Sequence, residues 1–133
     1  KPLKTDRNEM LCNIGQTCKY FYFINKGCLR MYEIDNKGNE VTGYFALEDS
    51  IMSAITSFVL QKPSRDSLVS HEASELLAIY RDDFFKLVDT VPQFANVYHQ
   101  FMEFAFKLKF QIIWRFFETP VLPVERYHLL IPT

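Results

Sequence analysis

The chain lacks a surplus of positive charge: 15 Lys and Arg stand against 16 Asp and Glu, for a formal net charge of -1. Without a cationic field, this segment is not equipped to hold a phosphate backbone by itself. It also lacks a run of about 18 uninterrupted apolar residues, because Lys107, Lys109 and Gln111 break its most apolar stretch, and no signal-peptide pattern opens it. A soluble, cytoplasmic protein without membrane contact is expected. A nucleophile elbow and a phosphate-cradling glycine loop are missing, and the carboxylate pairs Glu48/Asp49 and Asp82/Asp83 fall where helix starts favour acidic residues. These absences argue against an enzyme. Cys12, Cys18 and Cys28 are odd in number and form neither a zinc knuckle nor a CxxC pair, so they read as reduced, structural thiols. His71, His99 and His128 lie too far apart in sequence to specify a metal site.

What is present is apolar and aromatic. Of 133 residues, 48% are hydrophobic and 16% aromatic, with 13 Phe. That is enough for one domain with a thick core and, beyond it, an additional apolar contact. Tyr20 to Phe45 reads as three strand-length runs cut by Lys26-Gly27 and by Asp35-Asn36-Lys37-Gly38-Asn39, residues that favour turns and positive φ. Met10 to Ile14 is a further strand entering a turn at Gly15-Gln16. After Val41 to Ala46, Asp49 or Ser50 is placed to cap a short helical segment carrying Ile51, Met52, Ile55, Phe58 and Val59. Pro63 enforces a loop, then Ser67–Ser70 and Leu76–Tyr80 are strands around a polar turn at residues 71–75. The period changes at Arg81, where Asp82 or Asp83 is expected to cap a short helix bearing Phe84, Leu87 and Val88.

The longest helix is predicted from Pro92, as its first residue, to about Glu118. At about 100° per residue, Phe94, Val97, Tyr98, Phe101, Phe104, Ala105, Leu108, Ile112 and Phe116 form one apolar stripe. Met102, Phe106, Phe110, Ile113 and Phe117 form a second. A small sheet structure can cover only one of two apolar faces, so a two-fold homodimer is expected through this helix. Its seam is assigned to Phe94, Tyr98, Phe101, Ala105, Leu108 and Ile112.

The order strand, Gly turn, strand, Lys26-Gly27, strand, hairpin, short helix, Pro63-Ser64 loop, two strands, short helix and long helix resembles the sensor domain of Crp/Fnr-like bacterial transcription regulators. Leu76-Leu77-Ala78-Ile79, Arg81-Asp82-Asp83-Phe84-Phe85 and Pro92-Gln93-Phe94 are similar to that family's last strand, the helix after it and the start of its dimer helix. The likeness is greatest to the divergent branch common in Bacteroidetes. It implies an α+β, mainly β fold: a double-stranded β-helix, or jelly roll, of the cyclic nucleotide-binding type, followed by a long C-terminal dimerisation helix. The expected organisation is a β-roll with short helices over 1–90, the dimerisation helix over 91–118, and over 119–133 a hinge and the start of a DNA-binding domain otherwise absent from the chain.

In family members that bind cyclic AMP, a Gly-Glu pair opens the short helix and an Arg followed by Ser or Thr holds the cyclic phosphate. Here Ile51 to Phe58 contains neither Gly nor Glu, and the phosphate position reads Pro63-Ser64-Arg65-Asp66-Ser67, with Arg65 one place along and Asp66 beside it. In a strand, a shift of one residue turns a side chain to the other face. Cyclic AMP bound in the usual manner is therefore not expected. The candidate ligand residues are Ser57, Ser64, Arg65 and Ser67, and the candidate ligand is a small anionic effector. The resemblance implies a sensor that couples effector binding to DNA binding through a helix-turn-helix domain not present here. The alternative is a stand-alone ligand-binding or scaffold module with a degenerate pocket and no DNA partner. A cupin-like enzyme would need a clustered His and Glu set that the chain does not have.

Overall fold

The computed structural model describes residues 1–116, with side chains described as far as residue 108. Among these residues the chain runs β1 (Pro2–Thr5), β2 (Met10–Cys12), β3 (Tyr20–Lys26), β4 (Leu29–Ile34), β5 (Glu40–Ala46), β6 (Ile51–Met52), α1 (Ile55–Leu60), β7 (Ser67–Ser70), β8 (Ser74–Tyr80), α2 (Arg81–Thr90) and α3 (Pro92–Phe116). The strands form two four-stranded sheets, ordered β1-β8-β3-β6 and β2-β7-β4-β5. All pairings are antiparallel. This is the expected jelly roll, α+β and mainly β, with the long helix at its C-terminal end.

Local chemistry accounts for the turns. The Asp35 carboxylate accepts hydrogen bonds from the Lys37 and Asn39 amides, each at 2.9 Å, and Gly38 takes a φ of +84° to close the β4–β5 hairpin. Along β4, Leu29 and Met31 are buried while Arg30 lies on the outer face. There the Arg30 guanidinium reaches Glu40 at 2.7 Å and lies 4.4 Å from the centre of the Tyr32 ring. Inside the roll, Ile24, Leu29 and Leu68 are fully buried.

Strand β3 is covered on both sides. Tyr22 and Ile24 are buried, and so is Phe21, whose side chain alternates away from theirs. Phe21 stacks on Phe84 of α2 with centroids 4.5 Å apart, and meets Phe58 of α1 at 5.4 Å and Phe101 of α3 at 5.0 Å edge-on. One ring therefore seats all three helices.

The structure departs from the sequence expectations at four places. β1 was not anticipated: it is a four-residue edge strand containing two polar residues, too short to show a period. Ile51 and Met52 are not helical but form β6 against Phe23 and Tyr22, and α1 begins only at Ile55, after Ala54. Asp82 and Asp83 do not cap α2; Tyr80 occupies the cap position, and the two carboxylates lie in the first turn, where the helix dipole favours them. Finally, Phe94, Tyr98 and Phe101 face their own roll. Phe94 packs on Phe84, Tyr98 on both Phe84 and Phe85 at 5.6 Å, and Phe101 on Phe21. The short α2 places Phe84 and Phe85 beneath the first turns of α3, so this stripe is used within the chain.

Lys1–Phe101 forms one compact unit, and α3 from Met102 belongs to a second. Ala105 and Leu108 are partly exposed there. Ile112 lies outside the residues whose side chains are described, and the hinge assigned to 119–133 lies outside the described residues. Val97, Phe104 and Phe106 remain exposed, at 43%, 40% and 61%.

Gly27, between β3 and β4, supports a direct test. Its φ is +110°, and a Cβ there would sit 2.1 Å from the Ser74 hydroxyl oxygen and 2.8 Å from the Ser74 Cα, so backbone as well as side chain would have to move. Left-handed strain and a steric clash add, and Gly27→Ala is expected to lose about 2–4 kcal/mol of stability in urea denaturation. A loss under about 1 kcal/mol would show that the β3–β4 bend tolerates a side chain.

Candidate functional site

The candidate site is the segment between β6 and β7, made of α1 and the loop 61–66. Helix α1 is anchored by Phe58, which is fully buried against Phe21. The helix ends where Gln61 adopts a left-handed φ of 53° and returns its amide to the Ser57 carbonyl. The Gln61 side-chain amide then donates to the Phe58 carbonyl at 2.9 Å and the Cys18 carbonyl at 3.0 Å.

The loop is joined to the turn at residues 13–17. Thr17 bridges Pro63, the Gly15 amide donates to the Ser64 carbonyl at 2.8 Å, and the Ser64 amide donates to the Gln16 carbonyl at 2.8 Å. Ser57, Ser64 and Ser67, three of the four expected ligand residues, are brought to this seam and are buried. Their hydroxyls are already engaged. Ser57 Oγ accepts from the Cys18 amide at 2.8 Å and donates to the Lys62 carbonyl. Ser64 Oγ donates to the Asp66 carbonyl and accepts from the Asp66 amide. Ser67 Oγ donates to Asn13 Oδ1 and accepts from the Ile14 amide, both at 3.1 Å. These serines act as turn formers and struts, the common role of loop hydroxyls.

Arg65 is not brought in with them. It is exposed, while its neighbours Ser64 and Asp66 are 6% exposed. Residues on either side of Arg65 point inward, so the guanidinium is carried outward. A buried anion needs a guanidinium or several free N–H donors to offset its lost hydration. At this position the interior side receives a carboxyl group instead.

A different arginine is structurally engaged with the segment. Arg81 donates from Nε to the Phe58 carbonyl at 2.9 Å and from a terminal nitrogen to the Val59 carbonyl at 3.0 Å. Its guanidinium lies 5.0 Å from the Phe85 ring centre, and its own amide donates to the Lys19 carbonyl. A cation suits the negative C-terminal end of a helix, and it satisfies carbonyls that the helix leaves unpaired. Arg81 thus ties α1 to the start of α2. Sequence reading placed Arg81 at the start of α2 without finding this role, because the contact is 22 to 23 residues away and carries no local pattern.

Beside the seam is a cleft of about 500 Å³ lined by Cys12, Gln16, Thr17, Cys18, Tyr20 and Tyr22, among others. Burial raises the Tyr22 phenol well above its ordinary range, so it stays protonated.

Residues 2–91 match the model of the cyclic nucleotide-binding domain. No curated protein matches the chain. Among solved structures, the catabolite activator protein of Thermus thermophilus is similar, with a TM-score of 0.73 and 18% identity over 85% of this chain and 54% of that one. A transcriptional regulator from Thermotoga maritima gives a TM-score of 0.73 at 13% identity, over 88% of this chain and 91% of that one. The c-di-GMP-responsive global regulator CLP of Xanthomonas campestris gives 0.71 at 11% identity, over 90% and 60%. The chain spans about half the length of the Thermus protein.

The unequal placement of Ser57 and Arg65 has a measurable consequence. Ser57→Ala leaves the Cys18 amide and the Lys62 carbonyl without their partner, at a cost of about 1–3 kcal/mol in urea denaturation. Arg65→Ala, at an exposed bend, should change stability by less than about 0.5 kcal/mol. The reverse order would place the guanidinium, not the hydroxyl, inside the seam.

Proposed function

Because the chain belongs to the cyclic nucleotide-binding domain family, we propose that it is the sensor and dimerisation half of a Crp/Fnr-type transcription regulator whose roll no longer holds cyclic AMP in the usual way. One observation carries the reading: the segment between β6 and β7 is fully folded, yet it turns Ser64 and Asp66 inward and Arg65 outward. A small anionic effector would then be met by Arg65 at the rim of the roll, not inside it. The similarity of Arg81–Phe85 and Pro92–Phe94 to segments of the Crp/Fnr-like family supports the same assignment, and the divergent branch common in Bacteroidetes is the one proposed. The domain's part in this reading is to bind and transmit, without enzymatic turnover.

Transmission would run from α1 through Arg81 to α2 and on into α3, whose packing against a second copy would set the spacing of two DNA-reading helices in the full-length protein. The half-exposed Met102 and the exposed Phe106, on the second stripe, would supply apolar surface for that second copy. No helix among the described residues is long and apolar enough to cross a membrane, and a cytoplasmic regulator is the reading proposed.

Titration calorimetry tests the pocket. Cyclic AMP and cyclic GMP should give no saturable heat up to about 1 mM, and a micromolar isotherm that disappears in Arg65→Ala would overturn the reading. Light scattering tests the dimer: Met102→Glu and Phe106→Glu should each halve the molar mass, and persistence of the dimer in both would move the seam elsewhere. The full-length protein should bind a two-fold symmetric DNA site. Failure to do so would favour the stand-alone module.

A further inference from the structure

Two of the three thiols form a pair that the sensor reading does not use. Cys12 ends β2, and Cys18 stands two residues before β3. The turn between them is closed on itself, the Asn13 amide donating to Gln16 Oε1 at 2.9 Å and the Gln16 amide donating to the Asn13 carbonyl at 3.0 Å. That closure returns the chain, so the two side chains share the wall of the 500 Å³ cleft although each is almost wholly buried. The two thiols face the same cleft and are close enough to act on each other's protonation. Cys28, the third, has its sulfur near the Leu29 carbonyl.

The two sulfurs are not equivalent. Cys18 is held below the ordinary thiol range by the hydrogen bond from Cys12, then by the Ser53 hydroxyl and by backbone hydrogen bonds at Tyr20 and Ala54, against the opposing effect of burial. Cys12 is raised, by that same hydrogen bond, by burial and by the negative charges of Cys18 and Asp66. Of the two, Cys18 is the one biased toward the thiolate. The Ser53 oxygen lies 3.4 Å from Cys18 Sγ and 2.9 Å from the Tyr20 carbonyl. Its single hydrogen can be given to either, so it is available to a thiolate. A thiolate lining an open cleft with a second thiol on the same wall is the arrangement in which oxidation ends at a disulfide and does not continue up the oxidation ladder.

We propose that Cys12 and Cys18 are an oxidisable dithiol that closes to a disulfide when a hydroperoxide enters the cleft, and that closure loosens the segment between β6 and β7. The Cys18 thiolate attacks the peroxide oxygen, the O–O bond breaks, and the leaving oxygen departs as water after taking up a proton. The resulting sulfenic acid is attacked by the Cys12 sulfur as its proton is lost, the S–O bond breaks and a second water leaves. Two thiols have given up two electrons and two protons, and hydrogen peroxide has become two waters. A dithiol reductant reverses the bond by exchange.

The segment is sensitive to this bond because it hangs on Cys18 and on the turn. The Cys18 amide donates to Ser57 Oγ and its carbonyl accepts from Gln61, while Gly15 and Gln16 pair with Ser64. Drawing the two sulfurs to covalent length would move these backbone groups, and α1 with its loop would lose hydrogen bonds. The inference stands whether or not the roll binds an effector.

The sequence makes the test simple, since trypsin releases residues 8–19 as one peptide carrying both cysteines and no other. The reduced protein is treated with hydrogen peroxide, quenched with acid, denatured and alkylated with iodoacetamide before digestion. The expected product is that peptide lighter by two hydrogens and unalkylated, recovered as the doubly alkylated form when dithiothreitol precedes alkylation. Cys28→Ser should give the same product, and Cys18→Ser should leave Cys12 alkylated. Both cysteines remaining alkylatable after peroxide would overturn the proposal. So would a Cys18 sulfinic acid without a bridge, or a bridge from either cysteine to Cys28 or to another chain. These readings need only the wild-type protein, so a poorly folded variant does not remove the test. Hydrogen exchange across residues 55–66 should accelerate on oxidation and recover on reduction, and unchanged exchange would overturn the loosening.

Discussion

The structure depends on one aromatic contact set. Phe21 stands on a strand that is buried on both sides, and it receives Phe58, Phe84 and Phe101 from three different helices. Burying a phenylalanine side chain contributes about 1.5–3 kcal/mol, and each well-placed aromatic pair about 0.5–1.5 kcal/mol more, so this one position can carry a sizeable share of a small domain's stability. Its geometric effect is at least as large. Because all three helices meet the same ring, α1 cannot shift without disturbing the packing that seats α2 and α3.

The polar contacts lie around that apolar centre. Arg81 closes the end of α1 and stacks near Phe85, whose ring in turn packs on Phe58 and Tyr98. The serines of the neighbouring loop hold the turn that carries Cys12 and Cys18. Apolar packing fixes where the helices sit, and hydrogen bonds fix how α1 and its loop are tied to β2, β3 and α2. A ligand or a covalent bond formed near Cys18 acts on the second set and is felt through the first.

How much of this was legible in the sequence follows from the range of each interaction. The strands from Tyr20 to Ala46 were readable because their apolar runs are cut by residues with their own turn chemistry, such as Asp35 and Gly38. β1 was not, since an edge strand of four residues gains its identity from β8 and not from its own pattern. Ile51 and Met52 looked helical because two apolar residues before Ile55 and Phe58 extend an apolar run, and only the pairing with β3 makes them a strand. In the candidate site, Ser57, Ser64 and Ser67 were found as residues but not as struts, because a hydroxyl's partner is set by tertiary contact. Cys12 and Cys18 match no spacing motif, and it is the closed turn between them that brings both to one cleft.

The charges of the loop constrain what the roll can accept. Moving an anion into the interior with Arg65 outside would leave it without a guanidinium partner, and the penalty for an uncompensated buried charge is several kcal/mol. At about 1.4 kcal/mol per factor of ten, even 4 kcal/mol would turn a micromolar site into a millimolar one. On the proposed reading, the outward turn of Arg65 would disfavour a cyclic phosphate inside the roll on electrostatic grounds, before any question of shape. A neutral peroxide meets no such barrier at the Cys18 cleft, since it enters without charge and acquires it only as the O–O bond breaks.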